Sequence, residues 1–161
     1  MLRTQSRLVH ILRHDLCYSA AMDAENPVVK LCIAGVQAES DGRYADALAL
    51  FMRAWAARRD DYDACIAGHY VARHQEQPND ILHWNRVALD HADKVAAERV
   101  RDFYPSLYLN LGRAHELVGA TDEARRYYAL AEKAAQQLSD DRYGRVVHGA
   151  LASARERLGH E

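Results

Sequence analysis

Histidines offer this chain its first possibility of metal or acid–base chemistry, because imidazole both binds metals and transfers protons near neutral pH. His69, His74 and His83 all lie in one predicted helical hairpin. Their separations of five and fourteen residues do not place two ligands on one helix face, as a spacing of four would. An enzymatic site would need His69 and His74 to meet Asp63 or Asp80 in one pocket, and the spacing does not establish this. We therefore expect surface or partly buried imidazoles, some of them hydrogen-bonding in a groove, and no metal.

Thiol chemistry is the second possibility. The chain has three cysteines, Cys17, Cys32 and Cys65, without a CxxC pair. An odd count without paired spacing is typical of reduced thiols in a cytoplasmic protein. Cys32 and Cys65 each precede a glycine by three residues, at equivalent places in a repeat described below. Such equivalence favours packing, with a redox or disulfide function as the alternative.

An acidic run, Asp60-Asp61-Tyr62-Asp63, has two interpretations. It would bind a cation or a basic peptide, or it would begin a helix. Carboxylates are favourable at a helix N-terminus, where they cap free N–H groups and meet the positive end of the dipole. The sequence favours the helix start.

No recognised catalytic motif is present. The chain lacks the glycine-rich GxxxxGK[ST] and GxGxxG nucleotide-binding patterns and the GxSxG nucleophile elbow. His115-Glu116 does not belong to an HExxH zinc motif, because Gly119 stands four residues after His115. We expect no enzymatic activity and no cofactor.

Composition excludes several other classes. A chain of 161 residues is typical of one domain, and its 49% hydrophobic content is too high for a disordered protein. The net charge of −2 provides no general attraction to nucleic acids or anionic membranes. No apolar run approaches the ~18 residues that a membrane span needs. We expect a cytoplasmic protein that binds neither nucleic acid nor membrane.

Residues 1–21 differ from the rest in charge. They carry three arginines and a single acidic residue: Arg3, Arg7, Arg13 and Asp15. Apolar residues recur there at helical spacing: Leu8, Ile11, Leu12 and Leu16. This amphipathic segment is a helix packed on the end of the domain, an upstream extension before a usual start at Met22, or a targeting presequence.

From Pro27 onward the apolar periodicity is helical. Pro27, Pro78 and Pro105 fall at breaks between periodic segments, where a missing N–H costs little. No stretch shows sustained alternation of apolar and polar residues. The chain is therefore predicted to be all-α, with helices at about 5–20, 28–40, 44–58, 62–75, 80–99, 104–118, 121–138 and 141–158.

Three segments share one internal pattern, in which a glycine is followed by an aromatic residue after sixteen positions and a small apolar residue after nineteen. The glycines are Gly35, Gly68 and Gly112, the aromatics are Phe51, Trp84 and Tyr128, and the small apolar residues are Ala54, Val87 and Ala131. The first and third segments add an alanine at position twelve and a glycine at position seven: Ala47, Ala124, Gly42 and Gly119.

These spacings predict helical hairpins. Two antiparallel helices approach closely only where side chains are small, and an aromatic ring fills the wedge beside the crossing. The later glycine supplies the turn. A hairpin cannot bury its apolar face alone, so such hairpins stack.

Residues 108–131 and 35–54 carry the pattern most completely, and they resemble the tetratricopeptide repeat (TPR) family. The resemblance implies a right-handed α-α superhelix of about three hairpins with an N-terminal helix and a C-terminal capping helix at 141–158. The charged residues of 141–158 fall on polar faces, so this last helix is expected to be solvating. Residues 22–161 would form a single domain, with repeats at about 28–61, 61–100 and 105–138.

The middle repeat departs from the family pattern. It has Asp80 where a small apolar residue is usual, and Pro78-Asn79-Asp80 is interpreted as a helix cap, so its second helix is expected to begin late. The glycine-to-glycine step rises from 33 to 44 residues after this repeat. The extra residues lie around Asp90–Arg101 and contain no proline or glycine, and an overlong helix is expected there.

The TPR resemblance also implies a concave groove, lined by the first helix of each hairpin, that binds an extended peptide or a partner helix. The groove residues would be Val36, Glu39, Tyr62, His69, Arg73, Leu109, Arg113 and Glu116. Arg73 and Arg113 would be the main anchors, because guanidinium groups bind carboxylates bidentately. In the alternative, each arginine pairs with a glutamate of the chain itself: Glu39, Glu76 or Glu116.

One subset of the family clamps the carboxylate at the end of chaperone tails. It has Lys and Asn where this chain has Cys32 and Val36, so this binding mode is disfavoured.

The function expected from this is non-catalytic binding of a protein or peptide, as a scaffold or adaptor. One alternative is self-association as a homodimer through exposed hairpin edges, with or without exchange of residues 1–21 between chains. Another is a regulatory role, related to the TPR parts of bacterial transcription regulators. Direct DNA binding is not expected, because no helix-turn-helix with a basic second helix is present.

Overall fold

The computed structural model describes residues 23–159, and within this range every regular element is helical. The prediction of an all-α chain is thus confirmed for the described residues. The helices are α1 Pro27–Ser40, α2 Tyr44–Ala56, α3 Asp61–Ala72, α4 Pro78–Ala92, α5 Ala97–Val100, α6 Tyr104–Leu117, α7 Thr121–Ala135 and α8 Arg142–Gly159. A 3-10 turn, Arg101–Phe103, separates α5 from α6. The helix expected at 5–20, within segment 1–21, lies outside the described residues.

The chain divides into two compact units, whose described parts are 23–101 and 102–159. The N-terminal unit contains α1–α5, and the C-terminal unit contains α6–α8. The single domain at 22–161 and the superhelical stacking of its repeats stay predictions.

In the N-terminal unit, two hairpins pack on each other. Helices α1 and α2 form the first hairpin, α3 and α4 form the second, and α3 contacts both helices of the first. Every residue of α3 from Tyr62 to Ala72 is buried. Burial on every side is typical of a core helix.

In the C-terminal unit, α6 and α7 form a hairpin and α8 packs against both. The core around α7 and α8 consists mainly of small and aliphatic side chains: Leu109, Ala124, Tyr128, Ala131, Ala135, Val147, Leu151 and Ala154. Helix α8, expected as a solvating cap, thus contributes three of these core residues.

The hairpins α1–α2 and α6–α7 are built alike. Gly35 faces the Phe51 ring, and a Cβ added at Gly112 would lie 2.6 Å from Cδ1 of Tyr128. The turn glycines Gly42 and Gly119 both have φ +76°, a conformation that glycine adopts readily and other residues rarely do. Close helix contact and a left-handed turn therefore account for these four glycines.

The middle hairpin uses a different register. Gly68 faces Ala88, whose Cα lies 3.6 Å from a Cβ added at the glycine. The buried side of α4 consists of Asn85, Ala88 and Ala92, while Trp84 and Val87 are only partly buried. The structure thus differs from the sequence expectation, which placed Trp84 and Val87 on the packed face. The contacts lie one residue later along α4, and Trp84 packs edge-on against Trp55 instead, with ring centroids 4.9 Å apart.

The second helix of this repeat begins ten residues after Gly68, compared with nine after Gly35 and Gly112, so it starts one residue late; the expected cap at Asn79-Asp80 is wrong, because both residues lie inside the helix. Helix α4 begins at Pro78, after Gln77 as N-cap. Proline suits this first position because its φ is already helical and an N–H there has no intrahelical partner. The N–H groups of Asp80 and Ile81 both donate to the Gln77 carbonyl at 3.0 Å.

The expected overlong helix at 80–99 is also wrong, because α4 ends at Ala92. The N–H groups of Lys94 and Val95 donate three residues back, to His91 and Ala92, which tightens the last turn and stops the helix. Ala96 is extended (ψ 129°), and the chain turns into α5, where Val100 is fully buried. The burial of Val100 thus ends α4 at a point where the sequence has neither proline nor glycine.

Candidate protein-binding surface

Most residues of the predicted groove are buried in the structure. Five of the eight are buried: Val36, Glu39, Tyr62, His69 and Leu109. Arg73, with a side chain 10% exposed, and Glu116, with one 11% exposed, are only a little more accessible. Arg113 is the most exposed of the eight, at 38% of its side chain.

Arg73 is committed to a buried ionic cluster in the N-terminal unit. Its Nη2 donates to Oε2 of Glu39 at 2.7 Å, and Nε2 of His74 lies 2.5 Å from Oε1. The Glu39 side chain is 3% exposed, and a buried carboxylate needs such partners to remain charged. The structure thus shows the alternative in which Arg73 pairs with Glu39. The groove prediction did not include His74, which completes the cluster.

Aromatic rings enclose this cluster from α2. The His74 ring centroid lies 5.3 Å from that of Phe51 and 6.5 Å from that of Tyr44. The cluster therefore joins the end of α1 to the end of α3 beneath the second helix of the first hairpin. Its role is structural.

His69 is a neutral core histidine. Burial, followed by the charge of Arg73, lowers the pKa of His69 to about 3. Its ring lies edge-on to Tyr70, with centroids 5.3 Å apart. Across residues 23–159, no three His, Cys, Asp or Glu side chains are grouped so that they could hold a metal ion, so His69, His74 and His83 do not converge.

The two described cysteines, Cys32 and Cys65, are both buried. Burial, with a smaller contribution from Asp93, raises the pKa of Cys65 to about 12. Since the thiolate is the reactive form, this environment favours packing over redox chemistry.

The acidic run begins α3. Asp60 is the N-cap, and its carboxylate accepts from the Asp63 N–H at 2.8 Å. Asp63 is buried and accepts from Nδ2 of Asn26 at 2.6 Å and from Nε of Arg59 at 3.1 Å. Burial raises the pKa of Asp63, but these hydrogen bonds outweigh it and hold the pKa below its ordinary value. The helix-start interpretation of the run is confirmed.

Beside this helix start lies a cavity of about 360 Å³. Its walls mix acidic, basic and neutral polar side chains: Asp23, Asn26, Arg59, Asp60, Tyr62, Glu98 and Arg99. Arg99 covers the Tyr62 ring, with its guanidinium carbon 4.3 Å from the centroid. The two arginines already neutralise part of the acidic wall.

Glu116 is the centre of a second cluster, in the C-terminal unit. Its Oε1 accepts from Nη1 of Arg113 at 3.1 Å and from Nε of Arg157 at 3.0 Å. Its Oε2 accepts from Nη2 of Arg157 at 2.8 Å and from the Tyr128 hydroxyl. Burial raises the pKa of Glu116, but the bonds from Arg157 and Tyr128 hold it below its ordinary value.

Arg157 was not among the residues predicted from the sequence to line a groove. It lies 41 positions from Glu116, on the helix interpreted as a solvating cap. No short-range spacing connects the two residues, so the pattern of the sequence offers no signal for this contact.

Large apolar side chains are exposed in the N-terminal unit. Ile33 on α1 is 41% exposed, and Tyr44 and Met52 on α2 are 43% and 42% exposed. Nearby on α2, Trp55 is covered by the guanidinium of Arg58, whose carbon lies 3.9 Å from the ring centroid. Both helices of the first hairpin therefore present apolar surface to solvent.

No family model, no curated protein and no solved structure matches this chain. The TPR resemblance accordingly stays an interpretation of the repeat pattern.

None of the helices between residues 23 and 159 combines the length and apolar character needed to cross a bilayer.

Proposed function

We propose that this chain is a non-catalytic, TPR-like scaffold or adaptor that binds a protein or peptide against the first helices of its hairpins. The TPR resemblance further implies a right-handed superhelical stack of these hairpins, and the cysteine usage supports a cytoplasmic location. Repetition of one hairpin design supports the proposal: Gly35 against Phe51 and Gly112 against Tyr128, each followed by a glycine turn at φ +76°. Repeated hairpins with a shared packing scheme are the usual construction of helical binding arrays.

The observation that carries the binding role is the exposure of Ile33. This residue is 41% exposed on α1, a first helix that is otherwise largely buried on its packed side. It is spaced four residues from Val29 and three from Val36, so it shares their side of the helix. An apolar side chain exposed beside a buried first-helix surface is a natural anchor for a partner.

A matched pair of variants tests this proposal. Ile33→Asp places a charge on the first helix, and Met52→Asp places one on the second helix of the same hairpin, at nearly equal exposure (41% and 42%). Wild type and both variants are immobilised as the full chain, incubated with lysate, and compared by quantitative mass spectrometry of the retained proteins.

We expect a set of proteins that wild type and Met52→Asp retain and Ile33→Asp does not. Circular dichroism must show equal helix content and melting for the two variants. Retention of the same proteins by Ile33→Asp would contradict binding at the first helix.

Self-association is the second candidate, and the exposed Tyr44 and Met52 on α2 favour it. A shared apolar face of two copies would bury these side chains. Sedimentation equilibrium at concentrations from about one to tens of micromolar would then show a dimer that Met52→Asp dissociates. A wild-type chain that stays monomeric throughout this range would exclude the dimer. The regulatory alternative, in which the chain is related to the TPR parts of bacterial transcription regulators, uses the protein-binding surface proposed above.

A further inference from the structure

Two arginines in the C-terminal unit converge on one carboxylate. Arg113 on α6 and Arg157 on α8 both donate to Glu116, at distances between 2.8 and 3.1 Å. Two guanidinium groups and one carboxylate leave an excess of one positive charge. The Arg113 and Arg157 side chains are 38% and 29% exposed, whereas that of Glu116 is 11% exposed. The excess charge therefore faces solvent and the neutralising carboxylate does not.

In this cluster the acceptor positions of the carboxylate are filled, whereas the guanidinium groups keep unused N–H donors. A carboxylate has about four acceptor positions, and Glu116 fills four with bonds from Arg113, Arg157 (two) and Tyr128. Each guanidinium carries five N–H donors. Within the described residues, Nε and Nη2 of Arg113 and Nη1 of Arg157 donate to no protein acceptor. Free donors thus remain on two groups whose positions Glu116 fixes.

We propose that Arg113 and Arg157 form a carboxylate-binding site that takes an acidic side chain of the partner protein. This inference rests on the proposed function, since it names the partner's chemistry at one point of contact. A single carboxylate matches the excess of one charge. A phosphate monoester carries about −1.5 to −2 at neutral pH and would exceed it. Prior fixation by Glu116 reduces the side-chain entropy lost when an anion is bound.

The test uses a fluorescein-labelled peptide of alternating glutamate and alanine, and the same peptide with glutamine in place of glutamate. Fluorescence anisotropy measures binding of each peptide to the full chain at low and at high salt. The variants are Arg113→Gln and Arg157→Gln. The matched control is Arg125→Gln, because Arg125 is also exposed (51%) and pairs with a carboxylate three residues away, Asp122, at 3.5 Å.

Wild type should bind the glutamate peptide more tightly than the glutamine peptide, and salt should weaken this binding. Arg113→Gln should weaken it about fivefold, as expected for a half-exposed ion pair, and Arg125→Gln should leave it unchanged. Arg157→Gln should have a similar effect if its melting temperature is close to that of wild type. If Arg157→Gln is unfolded, the result for Arg113→Gln alone decides whether the site exists.

Equal weakening by Arg113→Gln and Arg125→Gln would overturn the site, because it would indicate a diffuse charge effect. Equal binding of the glutamate and glutamine peptides by wild type would also overturn the site. Stronger displacement of the peptide by inorganic phosphate than by acetate, at matched ionic strength, would contradict the choice of a carboxylate. If the site fails while Ile33→Asp still abolishes capture, the proposed function stands without it.

Discussion

Arg157 donates two hydrogen bonds to Glu116, at 3.0 and 2.8 Å, across 41 positions of the chain. The contact fastens α8 to the end of α6, and the Tyr128 hydroxyl on α7 donates to the same carboxylate. All three helices of the C-terminal unit thus meet at one side chain. The last helix is therefore an integral part of this unit and not a detached solvating cap.

The close contact at Gly112 predicts a large effect of a single methyl group. In Gly112→Ala the new Cβ would lie 2.6 Å from the Tyr128 ring, and overpacking of this kind costs about 1–3 kcal/mol. Gly149→Ala is the control, because Gly149 lies within α8 with no atom within 4 Å of an added Cβ. Replacing an exposed helical glycine by alanine should stabilise the chain by about 0.5–1 kcal/mol. Urea denaturation should show opposite shifts of the two midpoints, and shifts of the same sign would contradict the packing.

The buried cluster at Glu39 predicts a second loss of stability. Glu39→Gln removes the negative charge that neutralises Arg73, whose side chain is 10% exposed. Breaking a buried pair at one partner costs about 3–5 kcal/mol, because the other charge stays buried. Glu123→Gln is the control, since Glu123 pairs with Arg126 at an exposed site and should change the free energy of unfolding by less than about 0.5 kcal/mol. Similar free energies of unfolding for the two variants would show that the Glu39 cluster contributes little.

The lowered pKa of His69 predicts that the folded chain loses stability as the pH falls. Its pKa is about 3 in the folded chain and 6.5 as an ordinary value. As pH falls below 6.5, the unfolded chain therefore takes up a proton that the folded chain does not. The free energy of unfolding should decrease from pH 6.5 downward and continue to do so until about pH 3.

Urea midpoints at several pH values between 7 and 4 measure this decrease. His69→Gln should flatten it, and the matched variant His83→Gln, at an exposed position on α4, should leave it unchanged. An unchanged slope in His69→Gln would assign the acid sensitivity to other groups.

Substituting Asn26 tests the start of α1 and the buried carboxylate of Asp63 together, because Asn26 contacts both. Its Oδ1 accepts from the Val28 N–H at 2.8 Å, and its Nδ2 donates to Asp63 at 2.6 Å. Asn26→Ala loses both bonds and should cost about 2–3 kcal/mol, from the cap and from the buried acceptor left with fewer donors.

Asn26→Asp separates the two contributions. It keeps the cap but brings a second carboxylate against Asp63, so it should destabilise at pH 7 and recover part of this loss near pH 5. Denaturation at the two pH values measures the recovery. Equal destabilisation of Asn26→Asp at both values would argue against repulsion between the carboxylates.

The sequence alone predicted the all-α class and most helix positions, because apolar periodicity and proline placement are local signals. It also indicated which glycines face which rings in the first and third hairpins, since the same spacing occurs in both. In the middle hairpin the same spacing pointed to Trp84 and Val87, whereas Gly68 faces Ala88. A shift of one residue along a helix changes which side chains are buried and leaves the periodicity intact.

The tertiary structure alone decided the ends of α4 and the partners of the charged groups. Helix α4 ends at Ala92 because the following chain turns to bury Val100, and no proline or glycine marks that point. The sequence identified Arg73 and Arg113 as cations and could name glutamates as their alternative partners. It could not identify His74 or Arg157 as further partners, because pairing across 35 or 41 positions depends on how the helices pack. Local patterns determine which helices form, and the packing of those helices determines which of their charges stay accessible to a partner.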